Sequence, residues 1–321
     1  NTIFIVSTFH FLRWFVTSST TTSWNHSKLA SVRSIPEIVV SSLPNSFMQC
    51  HDNREVFPVT RTVHELMQLN GKVALVTGGA GWLGTAMCEA LAESGARVVV
   101  ASRNLESCQK LAERLPENAM AVPLDVNQED AIRNCIDQVV SETGKIDVLV
   151  NNAYSGPSAG LKDATGEDFQ QSLQTGLTAY FVAAQQAAKY MREQGSHGSI
   201  INIASMYGMV ASYPEVYVGT GVNSPPAYHA VKGGVIHLTR HLAAYWAEDH
   251  IRVNAISPGA FPPPRVSEKG ATFIERLETK IPLGRCGEPY EVKGATVFLA
   301  SEASSYMTGH NLVIDGGWTV W

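Results

Sequence analysis

From Lys72 onward the chain alternates short, unbroken apolar runs with longer amphipathic segments, and this alternation constrains the fold more than any single motif. Lys72-Val73-Ala74-Leu75-Val76-Thr77 is β-branched and apolar without the polar alternation of a half-exposed strand, as a strand buried on both faces should be. A glycine-rich turn follows. Then Leu83, Met87, Ala90 and Leu91 mark a helix that stops at Gly95. The same alternation predicts strands at 97–101, 120–124, 146–150, 199–203, 251–256 and 311–314. Between them it predicts a helix from a cap at Asn104 to Leu115 and one from a cap at Asn127 to near Gly144. A long helical stretch is expected from Thr165 to Gln194, and further helices from about Ala227 to Glu248 and from Glu288 to Ala300. Strands and helices in this order predict an α/β fold. It would be a doubly wound parallel sheet covered on both faces, a three-layer α-β-α single domain over residues 71–321. Ligands of such sheets bind beyond the carboxyl ends of the strands. Gly78, Asn151, Ser205 and Pro258-Gly259 fall at those ends.

The remaining composition mainly excludes. An apolar fraction of 45% with 17% charged residues fits an ordinary packed core. Net charge is -5 with no basic run, which argues against a nucleic-acid partner. The five cysteines (Cys50, Cys88, Cys108, Cys135, Cys286) are scattered without a C-x-x-C pair and read as reduced, mostly buried thiols. No metal site is expected. His237 and His241 lie four apart, but no Glu follows the first, so they are expected to cover a packed helix face.

Residues 1–70 read as a separate extension. Asn1 to Pro36 contains no acidic residue and much Ser and Thr. The apolar patch from Ile3 to Val16 is broken by Ser7, His10 and Arg13, and it is too short and polar to span a bilayer. A disordered extension, a misassigned start and a transit peptide all fit this composition. The expected location is cytoplasmic, or an organelle if the segment is a transit peptide.

Two motifs carry chemistry. Thr77-Gly78-Gly79-Ala80-Gly81-Trp82-Leu83-Gly84 joins a strand to a helix at the opening of a βαβ unit. Glycines there let the backbone approach a pyrophosphate seated on the helix N-terminus. Tyr228 and Lys232 lie one helical turn apart on the same helix face. A phenol has a pKa near ~10, and a neighbouring cation favours its phenolate, so the pair could exchange a proton with an alcohol or carbonyl oxygen.

In chain order, Gly78/Gly81/Gly84, Asn151-Asn152-Ala153, Ser205, Tyr228-x-x-x-Lys232, Pro258-Gly259 and Asp315-Gly316-Gly317 resemble the short-chain dehydrogenase/reductase family. The likeness is to its single-domain branch, including gluconate 5-dehydrogenase-like and other carbohydrate-related members, and covers Gly71 to Trp321. It implies that Ser205, Tyr228 and Lys232 are catalytic. It also implies that Gly78, Gly81, Trp82, Leu83 and Gly84 hold a dinucleotide. Asp125 and Val126 would flank the adenine, and Asn151, Asn152 and Ala153 would lie along the cofactor. Tyr228, Lys232, Pro258 and Gly259 would also bind the cofactor, Lys232 at the nicotinamide ribose. At the end of the second strand Ser102 stands where NAD-specific relatives often carry Asp, and Arg103 follows; this pairing favours NADP(H) over the alternative NAD(H).

The implied activity is interconversion of a secondary alcohol and a ketone, the substrate a polyol, sugar acid or carbohydrate precursor, and the assembly a homodimer or homotetramer. Two further readings stay open: a dinucleotide-binding protein with little catalysis, and an epimerase using the same Tyr-Lys pair.

Three departures qualify the resemblance. The glycine turn carries Trp82 where the family has its middle glycine. Gly176 stands where an Asn usually holds a water of the proton relay. The stretch between Ser205 and Tyr228 is long and loop-like, with Tyr213, Pro214, Tyr217, Gly219, Gly221 and Asn223. It is expected either to form part of a polar substrate wall or to serve as a contact loop. After Gly259, Phe261-Pro262-Pro263-Pro264 is expected to form a stiff polyproline piece.

Overall fold

The structure, a computed structural model, describes residues 61–320 except 117, 196 and 268–270. In chain order the elements are α1 (Val63–Met67), β1 (Val73–Thr77), α2 (Trp82–Glu93), β2 (Arg97–Ser102), α3 (Leu105–Ala112), β3 (Met120–Pro123) and α4 (Glu129–Thr143). Next come β4 (Val148–Asn151), α5 (Gly166–Leu173), α6 (Ala179–Glu193), β5 (Gly198–Ile203), α7 (Pro214–Tyr217) and α8 (Pro226–Trp246). The chain continues through β6 (Ile251–Pro258), α9 (Pro264–Ser267), α10 (Ala271–Glu278), α11 (Lys293–Ala300) and β7 (Asn311–Ile314).

All seven strands pair in parallel, in the order β3-β2-β1-β4-β5-β6-β7. Strand side chains alternate between two faces, and each face has its own core. Val73, Leu75, Val99, Leu149, Ile200 and Val253 pack with α4, α6 and α8, through Ile136, Val139, Ala184, Met191 and Leu242. Their neighbours Ala74, Val76, Val98, Val100, Val150 and Ile201 pack with α2, α3 and α11, through Met87, Leu91, Leu111 and Leu299. This is the doubly wound α-β-α sandwich expected from the alternation. The direction in which successive strands are added reverses between β1 and β4, so a crevice opens beyond their carboxyl ends.

Several local expectations are corrected. Asn127 does not cap α4. It instead closes a turn on Asp125, whose Oδ1 accepts from the Asn127 main chain at 3.0 Å and its side chain at 2.7 Å, and Gln128 precedes the helix. The long helix from Thr165 divides into α5 and α6 around a five-residue π-turn, Gln174–Thr178. The stretch from Glu288 begins as a 3₁₀ turn, Pro289–Val292, before α11. His237 and His241 are exposed rather than packed, with His241 against Tyr245. Pro264 opens the single helical turn α9 rather than continuing a polyproline run. Ahead of β1 the described chain begins with α1. This helix is closed by a capping box between Thr62 and Glu65, and Leu69 is buried in the α2 face of the core. The rest of the expected extension, residues 1–60, and Cys50 with it, lies outside the described residues. No helix among the described residues is long and apolar enough to cross a membrane.

Candidate active site

A cleft of about 480 Å³ lies over the carboxyl ends of β1, β2 and β4, lined by Gly78, Gly81, Trp82, Leu83, Ser102, Arg103, Val126, Asn152 and Ala153. The sequence reading named all of these. Gly78 has φ +64°, and a Cβ on it would lie 2.9 Å from Ala153 Cα, so only glycine lets the turn close against β4. Gly84 does not line the cleft. It lies beneath it, where a Cβ would overlap the Gly78 carbonyl oxygen. No side chain caps α2, which starts at Trp82, so its first-turn N–H groups keep their capacity for an anion.

Asn152 and Ala153 lock this turn. Thr77 Oγ1 accepts from both main-chain N–H groups, at 3.0 and 3.1 Å, and Asn152 Nδ2 donates to the carbonyls of Thr77 and Gly78, both at 3.0 Å. Asn151 is corrected: it does not lie along the cleft. It is buried and donates to the Tyr180 carbonyl at 3.2 Å and to Asn202 Oδ1 at 3.0 Å. Pro258 and Gly259 end β6, and the Gly259 N–H donates to Ile314 O at 2.8 Å. A Cβ on Gly259 would lie 2.5 Å from Asp315 Cα, so this glycine admits the Asp315-Gly316-Gly317 turn.

At the far end of the cleft Ser102, Arg103, Asn104 and Ser107 converge around the start of α3. Asn104 caps that helix, accepting from Ser107 N at 3.0 Å. The Asn127 bonds hold the Asp125 carboxyl below its usual range, and Arg103 adds to the effect. A glycine-lined turn, an uncapped helix start and a guanidinium flanked by hydroxyls fit a phosphorylated dinucleotide.

Lys232 and Tyr228 lie in the first two turns of α8; with Ser205 they are outside the cleft lining, and the lysine and the tyrosine both meet Tyr154, which lines it. Lys232 is buried, its Nζ donates to the Ile203 carbonyl at 2.6 Å, and it lies 5.4 Å from the ring centres of Tyr154 and Tyr180 and 5.7 Å from that of Tyr228. Burial pushes its pKa down to about 7. Burial likewise raises the Tyr228 phenol, opposed by a hydrogen bond with the Ser205 hydroxyl. The Tyr228 phenol thus lies above its ordinary value, with burial as the largest cause. Burial penalises the charged form of both groups. Ser205 is buried at the end of β5, where its Oγ accepts from Tyr207 N at 3.2 Å.

The long stretch after Ser205 packs inward. Tyr213, Val216, Tyr217 and Val222 join Phe273, Leu277, Ile281 and Trp318 in one cluster, so the segment ties α10 and the C-terminal turn to the end of β5. Its polar groups form a network: the Tyr207 and Tyr217 hydroxyls are 2.7 Å apart, and Ser224 Oγ is 2.8 Å from His229 Nε2 and 2.9 Å from Ser212 Oγ. His229 stacks on Tyr207 at 4.7 Å.

Sequence reasoning missed Tyr154, Asn104, Ser107, Tyr207 and His229. Tyr154 is the most consequential, because it lines the cleft and also touches Lys232 and Tyr228. The signal was a bulky ring directly after Asn151-Asn152-Ala153, paired with a glycine at 176.

A family model described as enoyl-(acyl carrier protein) reductase matches residues 79–319. The chain is 37% identical over 269 residues to an NADP-dependent mannitol dehydrogenase of Hypocrea jecorina, covering 82% of this chain and 97% of that protein. It is 38% identical over 254 residues to a 3-oxoacyl-[acyl-carrier-protein] reductase of Thermotoga maritima, covering 78% and 99%. A gluconate 5-dehydrogenase from Burkholderia cenocepacia, solved in complex with NADP and tartrate, superposes with a TM-score of 0.73 at 33% identity, covering 81% of this chain and all of that one (100%).

Proposed function

The chain belongs to the short-chain dehydrogenase/reductase family, and we propose that it is an NADP(H)-dependent oxidoreductase interconverting a secondary alcohol and its ketone on a polyol or sugar acid. The observation that carries this reading is the placement of Tyr228, bonded to Ser205, and Lys232 against Tyr154, a residue that lines the glycine-lined cleft. The same cleft supports NADP(H) through Arg103, Ser102 and Ser107, which offer a cation and two hydroxyls and no carboxylate to repel a 2′-phosphate. The polyol or sugar-acid class rests on the mannitol and gluconate relatives and on the hydroxyl-rich segment around Tyr217 and Ser224.

In this reading the nicotinamide supplies or accepts the hydride when the cofactor is bound. Gly78, Gly81 and the start of α2 hold the pyrophosphate, and Arg103 holds the 2′-phosphate. Ser205 hydrogen-bonds the substrate oxygen and fixes it within reach of Tyr228. Burial keeps the Tyr228 phenol protonated at neutral pH, so in ketone reduction its hydroxyl donates the proton to the carbonyl oxygen. The Lys232 ammonium offsets the charge left on the phenolate. Retention of Ser205, Tyr228 and Lys232 in contact speaks against a binding protein without catalysis.

A panel of hexitols, sugar acids and their ketones, followed by NADPH or NADH absorbance, tests the reading. The expected result is turnover of at least one polyol or sugar-acid pair with NADPH preferred, and loss of about a thousandfold in kcat for Tyr228→Phe with NADPH binding retained. Undiminished turnover by Tyr228→Phe would refute the assignment. We further take the chain to act as a homodimer or homotetramer, because α8 and the C-terminal turn both expose large apolar side chains, Tyr245 and Val320. Light scattering on the purified chain checks this.

A further inference from the structure

Gly176 sits at the centre of the π-turn Gln174–Thr178, buried, with no room for a side chain. A Cβ there would lie 2.5 Å from Val231 Cγ1 and 2.8 and 3.0 Å from Cδ2 and Cε2 of Tyr154. The ring of Tyr154 and the side chain of Val231 therefore share the volume that any other residue at 176 would claim. The same ring has its centre 5.4 Å from Lys232 Nζ and meets Tyr228 edge-on, with centroids 5.3 Å apart. Its hydroxyl reaches Ser172 Oγ at 3.4 Å, which ties the ring to α5. π-Turns interrupt helices where a local demand outweighs regular hydrogen bonding, and here the demand is space for an aromatic ring against the α8 pair.

We propose that Tyr154 is a positioning residue, its ring occupying the space left by Gly176 and clamping the Lys232 ammonium against Tyr228. The proposal rests on the reading of Tyr228 and Lys232 given above.

The surroundings of Lys232 make such a clamp necessary. Tyr154 faces it from the loop after β4, Tyr180 from α6 and Tyr228 from α8. From β5 only the Ile203 carbonyl reaches it, and no carboxylate among the described residues pairs with it. The ammonium thus keeps its place through one hydrogen bond and three aromatic neighbours. Tyr180 is fixed by its own bond to Ile203 O at 3.3 Å, whereas Tyr154 depends on the vacancy at 176.

The test uses the full chain and ketone reduction with NADPH. Tyr154→Leu removes the ring and is expected to lower kcat about 3- to 30-fold. It is also expected to move the alkaline fall-off of kcat down by about half to one pH unit, because the cation loses a favourable neighbour. Tyr154→Phe keeps the ring and should recover kcat to within about threefold of wild type, with the original profile. Gly176→Ala pushes the ring away from inside the helix and should reproduce the Leu phenotype. The Tyr154→Leu/Gly176→Ala double variant should then show less than the product of the two losses, as expected for residues sharing one contact.

Thermal melts identify any variant that fails to fold, and Tyr154→Leu with Tyr154→Phe decides the matter if Gly176→Ala does not fold. Wild-type kcat and pH profile in Tyr154→Leu, or equal losses in Leu and Phe, overturn the clamp. In either case an inactive Tyr228→Phe leaves the proton-transfer assignment standing, whereas an active Tyr228→Phe overturns that assignment itself.

Discussion

The Lys232 ammonium donates to the main-chain carbonyl of Ile203 at 2.6 Å. Burial lowers the lysine's pKa to about 7, from 10.5 in an exposed setting. Between those values the unfolded chain binds more protons than the folded one, so stability rises with pH from about 7 to about 10.5 and is lowest below 7. Lys232→Met should flatten that slope and raise Tm at pH 7 by a few degrees while abolishing turnover. Ile203 O keeps the Tyr180 hydroxyl as a partner in the variant. Thermal melts at pH 7 and pH 9 check this, and a lower Tm in the variant would show that the cation stabilises the fold.

Arg103 is the cation at the α3 end of the cleft, flanked by Ser102 and Ser107. Charge-assisted hydrogen bonds contribute about 1.5–3 kcal/mol, or roughly 10- to 150-fold in affinity. Arg103→Asp should therefore raise the Kd for NADPH by at least about tenfold and leave NADH within about threefold. Fluorescence titration of both nucleotides measures this. Equal weakening of both would place Arg103 away from the 2′-phosphate.

Two glycines make a matched pair for the turn geometry. A Cβ on Gly84 would overlap Gly78 O and sit 2.9 Å from Gly79 Cα, both main-chain atoms that cannot step aside. Gly84→Ala should destabilise by roughly 2–4 kcal/mol and weaken NADPH binding severalfold. Gly294, inside α11, has no atom within 4 Å of a would-be Cβ. Gly294→Ala should raise stability by about 0.4–1 kcal/mol with nucleotide binding unchanged. Thermal melts with and without NADPH check both.

The strands were legible because burial on both faces writes unbroken apolar runs, as in Val73–Thr77 and Gly198–Ile203. The glycine turn, Ser205 and the Tyr228–Lys232 pair were legible because each role demands a residue type at a fixed spacing. Other features left weaker marks. The π-turn at Gln174–Thr178 holds Gly176 against Tyr154 and Val231, which are distant from it in sequence. The aromatic surroundings of Lys232 likewise assemble from Tyr154, Tyr180 and Tyr228 on three separate segments. Spacing in the sequence reports a neighbouring charge but not the desolvation that burial imposes on Tyr228 and Lys232.

Tyr217 offers a measure of how the long segment after Ser205 meets substrate. Its hydroxyl lies 2.7 Å from that of Tyr207, also bonds Ser224, and is close enough to Tyr228 to raise that phenol's pKa electrostatically. The Tyr217 ring is held by Phe273 at 5.2 Å, so removing the oxygen alone should leave the wall in place. If the wall reads substrate hydroxyls, Tyr217→Phe forfeits one neutral hydrogen bond, worth about 0.5–1.5 kcal/mol. The KM for a hexitol should then rise about 2- to 12-fold with kcat nearly unchanged, the pattern of binding lost equally from ground and transition states. A simple secondary alcohol of the same chain length has no second hydroxyl to offer, so its KM should not change. Steady-state kinetics on the two alcohols separates the outcomes. Equal effects on both would make the segment a support for α10 rather than a reader of substrate hydroxyls.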